Sequence, residues 1–300
     1  MNLVLLVGTN PLPVYITLEY FANRYKEEQN NTVYLTYSKN KSENSVFSTM
    51  DYAENIKKVF ELRNKEKITN INFSWAELKD ITNINQINND LQDIYLSGKC
   101  LLSIAGGTKL MVLSAFSKHQ IEKILYIESM SNDLIIFNKN NMTVDKIEHN
   151  ISLRANDLFM LHGHSENIEM KLGINNNINK YFTDDLCNEF IESGLNFKPK
   201  NIISSLEIEN WFIYKNVMCV ILDFNNCKMS VKEIKVKTMQ YLNVLKQLSG
   251  DNVKIFYNIN NQEINRNLIQ NLKVNSDFDK NLMTFNGKIS SNILLRSFSQ

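Results

Sequence analysis

LLSIAGGTKLM, the stretch Leu101–Met111, joins a short apolar strand to an apolar helix through two adjacent glycines. Gly106 and Gly107 allow the backbone to turn sharply and to approach a ligand closely. The helix that follows presents free N–H groups and the positive end of its dipole. Thr108 adds a hydroxyl and Lys109 adds a positive charge, so the stretch predicts a phosphate or nucleotide site. Because the spacing is neither that of a P-loop nor GxGxxG, a turn that only eases packing remains the alternative.

A second loop of the same kind lies near the N-terminus. The apolar segment Asn2–Val7 predicts a buried strand, and the loop GTNPLP (Gly8–Pro13) separates it from a helix that begins near Val14. In an open parallel sheet, ligands bind beyond the carboxyl ends of the strands, where the strand order reverses. Both loops follow strands, so we expect them to converge on one ligand.

This pair of loops resembles a known family. GTNPLP (Gly8–Pro13) followed by SIAGGTKLM (Ser103–Met111) is similar to the CARF domain, the CRISPR-associated Rossmann fold. The second motif of that family reads NxTGGTKxM; here Ser103 replaces the Asn and Ala105 replaces the first Thr. The remaining motif positions match at Gly106, Gly107, Thr108, Lys109 and Met111. The resemblance covers residues 1 to about 150 and implies a Rossmann-like, doubly wound parallel sheet.

The resemblance also implies a ligand. CARF domains sense cyclic oligoadenylates that type III CRISPR complexes make, and we expect cyclic tetra-adenylate to be the ring bound here. A symmetric ring fits two copies of the same loops, so we expect a homodimer. The residues expected to bind the ring are Gly8, Thr9, Asn10, Pro11, Ser38, Ser103, Ala105, Gly106, Gly107, Thr108, Lys109 and Met111.

Some CARF domains also cut their ligand and need no metal or other cofactor to do so. The ribose 2′-OH attacks the adjacent phosphorus, while the protein holds the in-line geometry and stabilises the charge of the phosphorane. In this sequence Lys109 and Thr9 are the expected catalytic groups for ring cleavage. The alternatives are a non-enzymatic sensor, in which the same groups only bind, and a Rossmann-type protein that binds an ordinary nucleotide.

Length and composition predict two domains without a general affinity for nucleic acid. With 300 residues, we expect a sensor domain over residues 1–150, a linker over 151–165 and a second domain over 166–300. The apolar fraction of 43% and the charged fraction of 22% are ordinary for a soluble globular protein. Because the net charge is only +1, any nucleic-acid site has to be a local one.

The cysteines and the apolar segments indicate a cytoplasmic protein. Cys100, Cys187, Cys219 and Cys227 form no CxxC pair, and we expect all four to be reduced. The first apolar segment is short and has no preceding basic region, so no signal peptide is predicted. No stretch approaches the ~20 apolar residues that span a bilayer, and we expect no membrane contact.

The first half of the chain alternates strands with helices, which favours a parallel, doubly wound α/β sheet. Strands are predicted at residues 2–7, 32–37, 68–73, 100–104 and 122–128, and helices at 14–28, 48–64, 85–97 and 107–119. A hairpin is predicted from 134–137 and 142–147, followed by a linker helix over 152–163 that ends at Gly163.

The second half is less regular. Helices are predicted at 178–193, 231–248 and 262–272, and strands at 202–208, 211–214, 217–224 and 253–257. The tail after Asp277 is polar and predicts no element. The order of these elements resembles that of restriction-endonuclease-like PD-(D/E)xK domains, which several CARF proteins carry after the sensor. The second domain is therefore expected to be an α/β domain of that type.

A nuclease of that type needs an acidic residue on one strand and E/D-x-K on the next, to hold a divalent metal and to activate water. Asp223 with Glu233-x-Lys235 matches this pattern, with Asp223 as a metal ligand, Mn²⁺ or Mg²⁺ as the cofactor and DNA or RNA as the substrate. The stretch SVKE, from Ser230 to Glu233, is also a helix capping box, and apolar residues follow it at helical spacing. In that interpretation Glu233 caps a helix, Lys235 faces solvent and the nuclease site is degenerate.

Overall fold

The computed structural model divides the chain into two compact units. The first contains Met1–Ile151 and Met160–Gly163, and the second contains Ser152–Phe159 and His164–Gln300. The structure describes residues 1–28, 30–39, 47–65, 70–127, 133–164, 176–183, 186, 192–194, 199, 206–225, 229–251, 253–259, 281–285 and 287–298. Within these ranges no helix is both long enough and apolar enough to cross a membrane.

Among the described residues, the first unit is built on a seven-stranded sheet. Its strands are β1 (Asn2–Leu6), β2 (Asn31–Tyr37), β3 (Ile71–Glu77), β4 (Cys100–Ser103), β5 (Ile121–Ile127), β6 (Asp133–Asn138) and β7 (Thr143–Glu148). Their order is β3-β2-β1-β4-β5-β6-β7. Strands β1 to β5 are parallel to one another, and β6 is antiparallel to both of its neighbours, β5 and β7. The central strands β1 and β4 are almost entirely buried, as is usual for parallel strands that helices cover on both faces.

The helices of the first unit place two loops at one point of the sheet. They are α1 (Pro11–Arg24), α2 (Thr49–Asn64), α3 (Ile84–Asp90), α4 (Gln92–Leu96) and α5 (Lys109–Phe116), and α6 (Ala155–Leu161) follows β7. The chain leaves β1 for β2 on one side and returns to β4 on the other, so the strand order reverses between β1 and β4. Open α/β sheets bind ligands at this position. The predicted doubly wound parallel sheet is confirmed.

Several predicted elements of the first unit have different bounds in the structure: the helix predicted at 14–28 is α1 (Pro11–Arg24) and the helix predicted at 107–119 is α5 (Lys109–Phe116). Two others differ more. The strand predicted at 68–73 begins at Ile71 and continues to Glu77. Its aromatic side chains pack against α2: the ring centroids of Phe73 and Phe60 are 5.6 Å apart. The helix predicted at 85–97 is two helices, α3 and α4, separated at Leu91. The residues before this break are Asn and Asp, which are poor helix formers.

The second unit contains a five-stranded sheet within the described residues. Its strands are β8 (Glu192–Gly194), β9 (Trp211–Tyr214), β10 (Val217–Asp223), β11 (Val253–Asn258) and β12 (Leu282–Phe285), and its helices include α7 (Asn176–Asn179), α8 (Val231–Ser249) and α9 (Ser291–Phe298). The order is β12-β11-β10-β9-β8; β10 to β12 are parallel, and β9 is antiparallel to both of its neighbours. The expectation of a second α/β domain is confirmed.

The ends of the second unit differ from the sequence prediction. The predicted helix 178–193 is wrong: among the described residues of this stretch the helix ends at Asn179, Phe182 is in a β-bridge and Glu192–Gly194 is a strand. Phe182 is instead held in a bridge to Ile289 and packs edge-to-face on Phe212, because burying this ring gains more than continuing the helix. The tail predicted to be without structure supplies β12 and α9. The predicted helix 262–272 and part of the predicted strand 202–208 lie outside the described residues.

Two of the four cysteines are described, and both are free thiols, as predicted. Cys100 lies on β4 and Cys219 on β10, and each is buried. Burial raises the pKa of the Cys100 thiol to about 11 and also raises the pKa of Cys219, so both remain protonated at neutral pH. Cys187 and Cys227 lie outside the described residues.

The start of α8 decides between the two interpretations of Glu233. The backbone N–H of Ser230 donates to Glu233 Oε2 at 2.7 Å, and the N–H of Glu233 donates to Ser230 Oγ at 3.4 Å. This is a capping box at the beginning of a 19-residue helix. The alternative in which Glu233 and Lys235 lie on a strand beside Asp223 is therefore wrong, because Glu233 is at the third position of α8 and Lys235 is within it.

We expect Ser230→Ala to lower the free energy of unfolding by roughly 1 kcal/mol at pH 7, because α8 loses its N-cap. The hydrogen bonds from Ser230 lower the pKa of Glu233 in the folded protein. The stabilisation by Glu233 is thus present above the carboxyl's unfolded pKa, about 4.3, and is lost as the pH falls through the lower folded pKa. Urea titration at pH 7 and at pH 3 measures both effects, and the difference between wild type and variant should shrink at pH 3. Glu233→Gln is the control, since Gln also serves in a capping box; a larger loss in this control than in Ser230→Ala would contradict the assignment.

Candidate functional site

A cleft of about 260 Å³ lies at the point where the strand order of the first unit reverses. The residues that line it come from the carboxyl ends of β1, β2 and β4, from the starts of α2 and α5, and from the segment after β3. They are Val7, Gly8, Thr9, Ser38, Phe47, Thr49, Ile81, Gly107, Thr108 and Met111. None of these side chains is acidic, so the described lining carries no negative charge that would repel a phosphate.

The two glycine loops touch through their backbones. A Cβ atom added to Gly8 would lie 2.8 Å from the backbone N of Gly107. A Cβ added to Gly106 would lie 2.7 Å from the backbone N of Gly8 and would overlap the carbonyl oxygen of Leu6. Distances this short leave no room for a side chain, so glycine is required on both loops. Gly107 also has φ +76, a backbone conformation that other residues rarely adopt.

Two helices begin at the cleft, and a third begins beside it. Ser48 is the N-cap of α2 and Thr108 is the N-cap of α5, while Asn10 caps α1 next to the lining. A helix N-terminus carries a partial positive charge and N–H groups without a partner in the helix. The first turn of α1 offers few such groups, because Pro11 and Pro13 have no N–H and Asn10 accepts the N–H of Leu12. The ends of α2 and α5 therefore supply the donors that favour an anion such as a phosphate.

Thr108 is placed to contact such an anion. Its Oγ1 accepts the N–H of Met111 at 3.3 Å, which leaves the hydroxyl proton available to donate. Lys109 is the first residue of α5, and its side chain is exposed beside Thr108. The loop therefore offers backbone N–H groups, a hydroxyl and a cation within a few residues.

Ser38 and Thr49 form the wall on the β2 side of the cleft. The N–H of Ser38 donates to Thr49 Oγ1 at 2.6 Å, and the hydroxyl of Thr49 donates to the carbonyl of Ser38 at 2.9 Å. This reciprocal pair joins the end of β2 to the beginning of α2. It therefore places Ser38 and Thr49 beside the two loops that the sequence indicated.

The structure brings together half of the predicted ligand-binding residues in the lining of this cleft. Those that line it are Gly8, Thr9, Ser38, Gly107, Thr108 and Met111. The others are not among its lining residues; they are Asn10, Pro11, Ser103, Ala105, Gly106 and Lys109.

The predicted residues outside the lining have local roles. Asn10 and Pro11 start α1, where Asn10 Oδ1 accepts the N–H of Leu12 at 3.4 Å. Ser103 is fully buried, and its hydroxyl donates to Thr17 Oγ1 at 3.4 Å. Ser103 therefore links β4 to α1 beneath the cleft. Because its side chain is fully buried, it is not placed to contact a ligand.

Sequence reasoning missed Val7, Phe47, Thr49 and Ile81 as lining residues. The two at the start of α2 had a signal in the sequence. Ser48 and Asp51 form a capping box, in which the N–H of Ser48 donates to Asp51 Oδ2 at 2.6 Å. That motif determines where α2 begins. Because α2 follows the carboxyl end of β2, where ligands bind in such sheets, the residues at its start are candidates for a wall of the site. No local signal points to Ile81, which reaches the cleft only through the fold.

The second candidate site, around Asp223 in the second unit, is only partly assembled. Asp223 ends β10, and the hydroxyl of Tyr181 donates to its Oδ2 at 3.0 Å. Burial, together with the charges of Asp223 and Glu209, raises the pKa of Tyr181. Within the described residues, no three His, Cys, Asp or Glu side chains lie close enough to hold a metal ion. The predicted set of Asp223, Glu233 and Lys235 does not fit a nuclease metal, because Glu233 caps α8.

Comparison with known proteins finds similar folds among solved structures. No family model matches the chain, and no curated protein matches it. Can2 from Sulfobacillus thermosulfidooxidans, solved in complex with cyclic tetra-adenylate, matches with a TM-score of 0.57 at 14% identity, over 95% of this chain and 95% of that one. The chain shares the fold of Can2. Protein VC1899 from Vibrio cholerae matches with a TM-score of 0.61 at 9% identity, over 99% of this chain and 96% of that one.

The shared fold with Can2 extends over both units of the chain, since nearly all of each protein is covered. The expectation of a Rossmann-like, doubly wound sheet followed by a second α/β domain is therefore confirmed at the level of fold. At sequence identities of 14% and 9%, the shared fold does not determine the function, which depends on the side chains of the cleft.

We expect Gly106→Ala to lower the free energy of unfolding by roughly 1–3 kcal/mol, because the new methyl group overlaps backbone atoms that cannot rotate away. Gly106 does not have a positive φ, so an unobstructed Gly→Ala change there would instead stabilise the fold by about 0.4–1 kcal/mol. Urea unfolding followed by circular dichroism measures the sign. A stabilised variant would show that the two loops are not in contact.

Proposed function

We propose that this protein is a CARF-type sensor that binds a cyclic oligoadenylate, with cyclic tetra-adenylate as its ring, in type III CRISPR defence. The observation that carries the proposal is the cleft at the strand-order reversal, where the N-termini of α2 and α5 meet the Gly-Gly-Thr loop. The shared fold with Can2, which was solved with cyclic tetra-adenylate, supports this choice of ligand. Because CRISPR complexes make such rings inside the cell, we expect the protein to act in the cytoplasm.

The chemistry of the cleft suits a phosphodiester. The N–H groups at the beginning of α5 and the hydroxyl of Thr108 donate to phosphate oxygens, and Lys109 supplies a positive charge. The close approach of Gly8 to Gly107 keeps the first loop next to these donors, so that Thr9 reaches the same ligand. A dinucleotide of the ordinary Rossmann type is less suited, because the loops lack the GxGxxG spacing.

The size of the cleft supports the proposal of a homodimer. At about 260 Å³ it is smaller than the 300–1,000 Å³ usual for a pocket that encloses a drug-sized ligand, so one chain holds only part of a four-nucleotide ring. The helix that follows the ligand loop carries exposed apolar residues: Leu110 is 38% exposed and Leu113 is 59% exposed. Covering these side chains with the same face of a second copy would bring two clefts to one symmetric ring.

We further propose that the cleft cuts the ring it binds. In this step the 2′-oxygen forms a bond to the adjacent phosphorus while the bond from phosphorus to the 5′-oxygen breaks, which leaves a cyclic phosphate. The proton lost by the 2′-OH is balanced by the proton that the leaving 5′-oxygen takes up. Lys109 and the N–H groups of the loop stabilise the additional negative charge on phosphorus oxygens, and Thr9 orients the sugar-phosphate. The chemistry uses only groups of this chain and of the ring.

A second candidate function is a ring-activated endonuclease in the second unit. The hydrogen bond between Tyr181 and Asp223 at the carboxyl end of β10 is the observation in its favour. Against it, Glu233 is occupied at the N-terminus of α8 and the predicted metal set is not assembled. Ring cleavage is therefore the activity we favour, and the endonuclease is an outcome that the tests below can return.

We expect Lys109→Ala to weaken binding of cyclic tetra-adenylate by roughly 10- to 150-fold, which corresponds to the loss of one charge-assisted hydrogen bond of about 1.5–3 kcal/mol. Calorimetry with cyclic tetra-adenylate and cyclic hexa-adenylate measures the affinity, and wild type should bind one ring per two chains. Lys99→Ala is the matched control, because Lys99 pairs with Glu122 just before β4, at the end of the strand opposite to the cleft. The proposed ligand site would be contradicted if wild type bound neither ring, or if wild type and Lys109→Ala bound with equal affinity.

We expect wild type to convert labelled cyclic tetra-adenylate to linear products with a cyclic phosphate in the presence of EDTA. Lys109→Ala and Thr9→Ala should slow this step by about 100-fold, the usual effect of removing one donor to the transition state, and Lys99→Ala should not. Chromatography after incubation with EDTA, and with manganese plus plasmid DNA or RNA, separates the outcomes. If the ring is bound but stays intact, the protein is a sensor without enzymatic activity and the proposed ring cleavage is wrong. Nucleic-acid cleavage that needs manganese and is lost in Asp223→Ala would favour the endonuclease instead.

A further inference from the structure

An aromatic ring forms part of the cleft wall. Phe47 lies just before α2, and together with Val7, Ile81 and Met111 it makes most of the lining apolar. Binding of a phosphate accounts only for the polar loops of this cleft and not for its apolar wall. An apolar wall with one aromatic ring is what a nucleobase uses for stacking.

Phe47 is held in place from two sides within the first unit. A Cβ added to Gly163 would lie 2.6, 2.8 and 3.0 Å from the Cζ, Cε2 and Cε1 atoms of the Phe47 ring. The ring therefore rests directly on the backbone of Gly163. Tyr52 of α2 packs edge-to-face on the same ring, with the centroids 5.9 Å apart and an angle of 66° between the planes.

Gly163 lies two residues after the end of α6, outside the range that the sequence assigned to the sensor. It has φ +85, and its N–H donates to the carbonyl of Met160 at 3.0 Å. The segment Met160–Gly163 belongs to the first unit although Ser152–Phe159 belongs to the second. Residues that follow the predicted sensor domain thus complete a wall of the ligand cleft.

We propose that Phe47 stacks on an adenine base of the ring and that Gly163 is the positioning residue that holds Phe47 at the required angle. This inference rests on the proposed function, because it identifies how the same cleft recognises the base in addition to the phosphate. A side chain at Gly163 would displace the Phe47 ring and with it the base. The linker segment is then part of the binding site and does more than join two units.

The test compares four full-length proteins by calorimetry with cyclic tetra-adenylate: wild type, Phe47→Leu, Gly163→Ala and Gly287→Ala. Gly287 is a matched control, since its φ of +84 imposes the same backbone strain while nothing lies within 4 Å of an added Cβ. Phe47→Leu should weaken binding by roughly 5- to 150-fold, the effect of losing one base-aromatic stack. Gly163→Ala should weaken it by about tenfold or more, and Gly287→Ala should bind as wild type does.

A double variant separates positioning from general structural damage. If Gly163 acts through Phe47, Gly163→Ala with Phe47→Leu should bind no more weakly than Phe47→Leu alone, because the ring that the methyl group displaces is absent. A ring in which 2-aminopurine replaces one adenine gives a second signal: its fluorescence should fall on binding to wild type and to Gly287→Ala, but much less with Phe47→Leu or Gly163→Ala. Should Gly163→Ala alone fail to fold, the double variant and Phe47→Leu still carry the test.

The outcomes distinguish this inference from the function on which it rests. Wild type that binds no ring would overturn the proposed function and this inference together. Wild type that binds the ring, with Phe47→Leu unchanged in affinity and in fluorescence, would overturn only the stacking. Additive effects of Gly163→Ala and Phe47→Leu, or equal losses in Gly163→Ala and Gly287→Ala, would overturn the positioning role.

Discussion

The backbone contact between the loop after β1 and the loop after β4 is the constraint on which the site of the first unit depends. Gly8 and Gly106 lie so close that a Cβ on either one would meet the backbone of the other loop. The contact is possible only at the strand-order reversal, because there β1 and β4 are neighbours and both chains leave the sheet at the same edge. It brings the N-termini of α1 and α5 to one point and makes a small cleft where there would otherwise be two separate turns.

The electrostatics of the cleft follow from this geometry. Each helix N-terminus alone is a weak anion site, worth on the order of 1 kcal/mol. With α2 added by the hydrogen bonds between Ser38 and Thr49, the ends of α2 and α5 share one cleft without an acidic side chain in the described lining. Ser48 and Thr108 cap these two helices, so the remaining N–H groups of their first turns are the donors left for a ligand; α1 adds few, because Pro11 and Pro13 have no N–H. The apolar wall of Phe47, Ile81 and Met111 supplies the nonpolar surface on which the proposed base contact depends.

The second unit shows that a shared fold does not by itself supply a site. Its five-stranded sheet and α8 belong to a fold that is shared with Can2 over nearly the whole chain. Around Asp223, however, the neighbours on the same face of the hairpin are apolar: Ile221 and Phe212 are both part of the buried core. Carboxylates at such positions would be costly to bury without a metal, whereas these side chains contribute to packing. The fold and the chemistry of a domain thus have to be judged separately.

The sequence by itself determined the parts of this protein that local chemistry decides. The glycine loops, the alternation of strands and helices in the first half, and the capping box at Ser230 all follow from interactions between residues a few positions apart, and each is present in the structure. The elements that were wrong are those that long-range packing decides. Phe182 leaves the predicted helix to pair with Ile289, more than 100 residues further along the chain, and the polar tail folds as β12 and α9 because Phe285 and Leu294 reach the core. Tertiary structure alone joined Ser38 to Thr49 and placed Phe47 on the backbone of Gly163, since contacts between distant segments depend on how the whole sheet is assembled and leave no periodic signal in either segment.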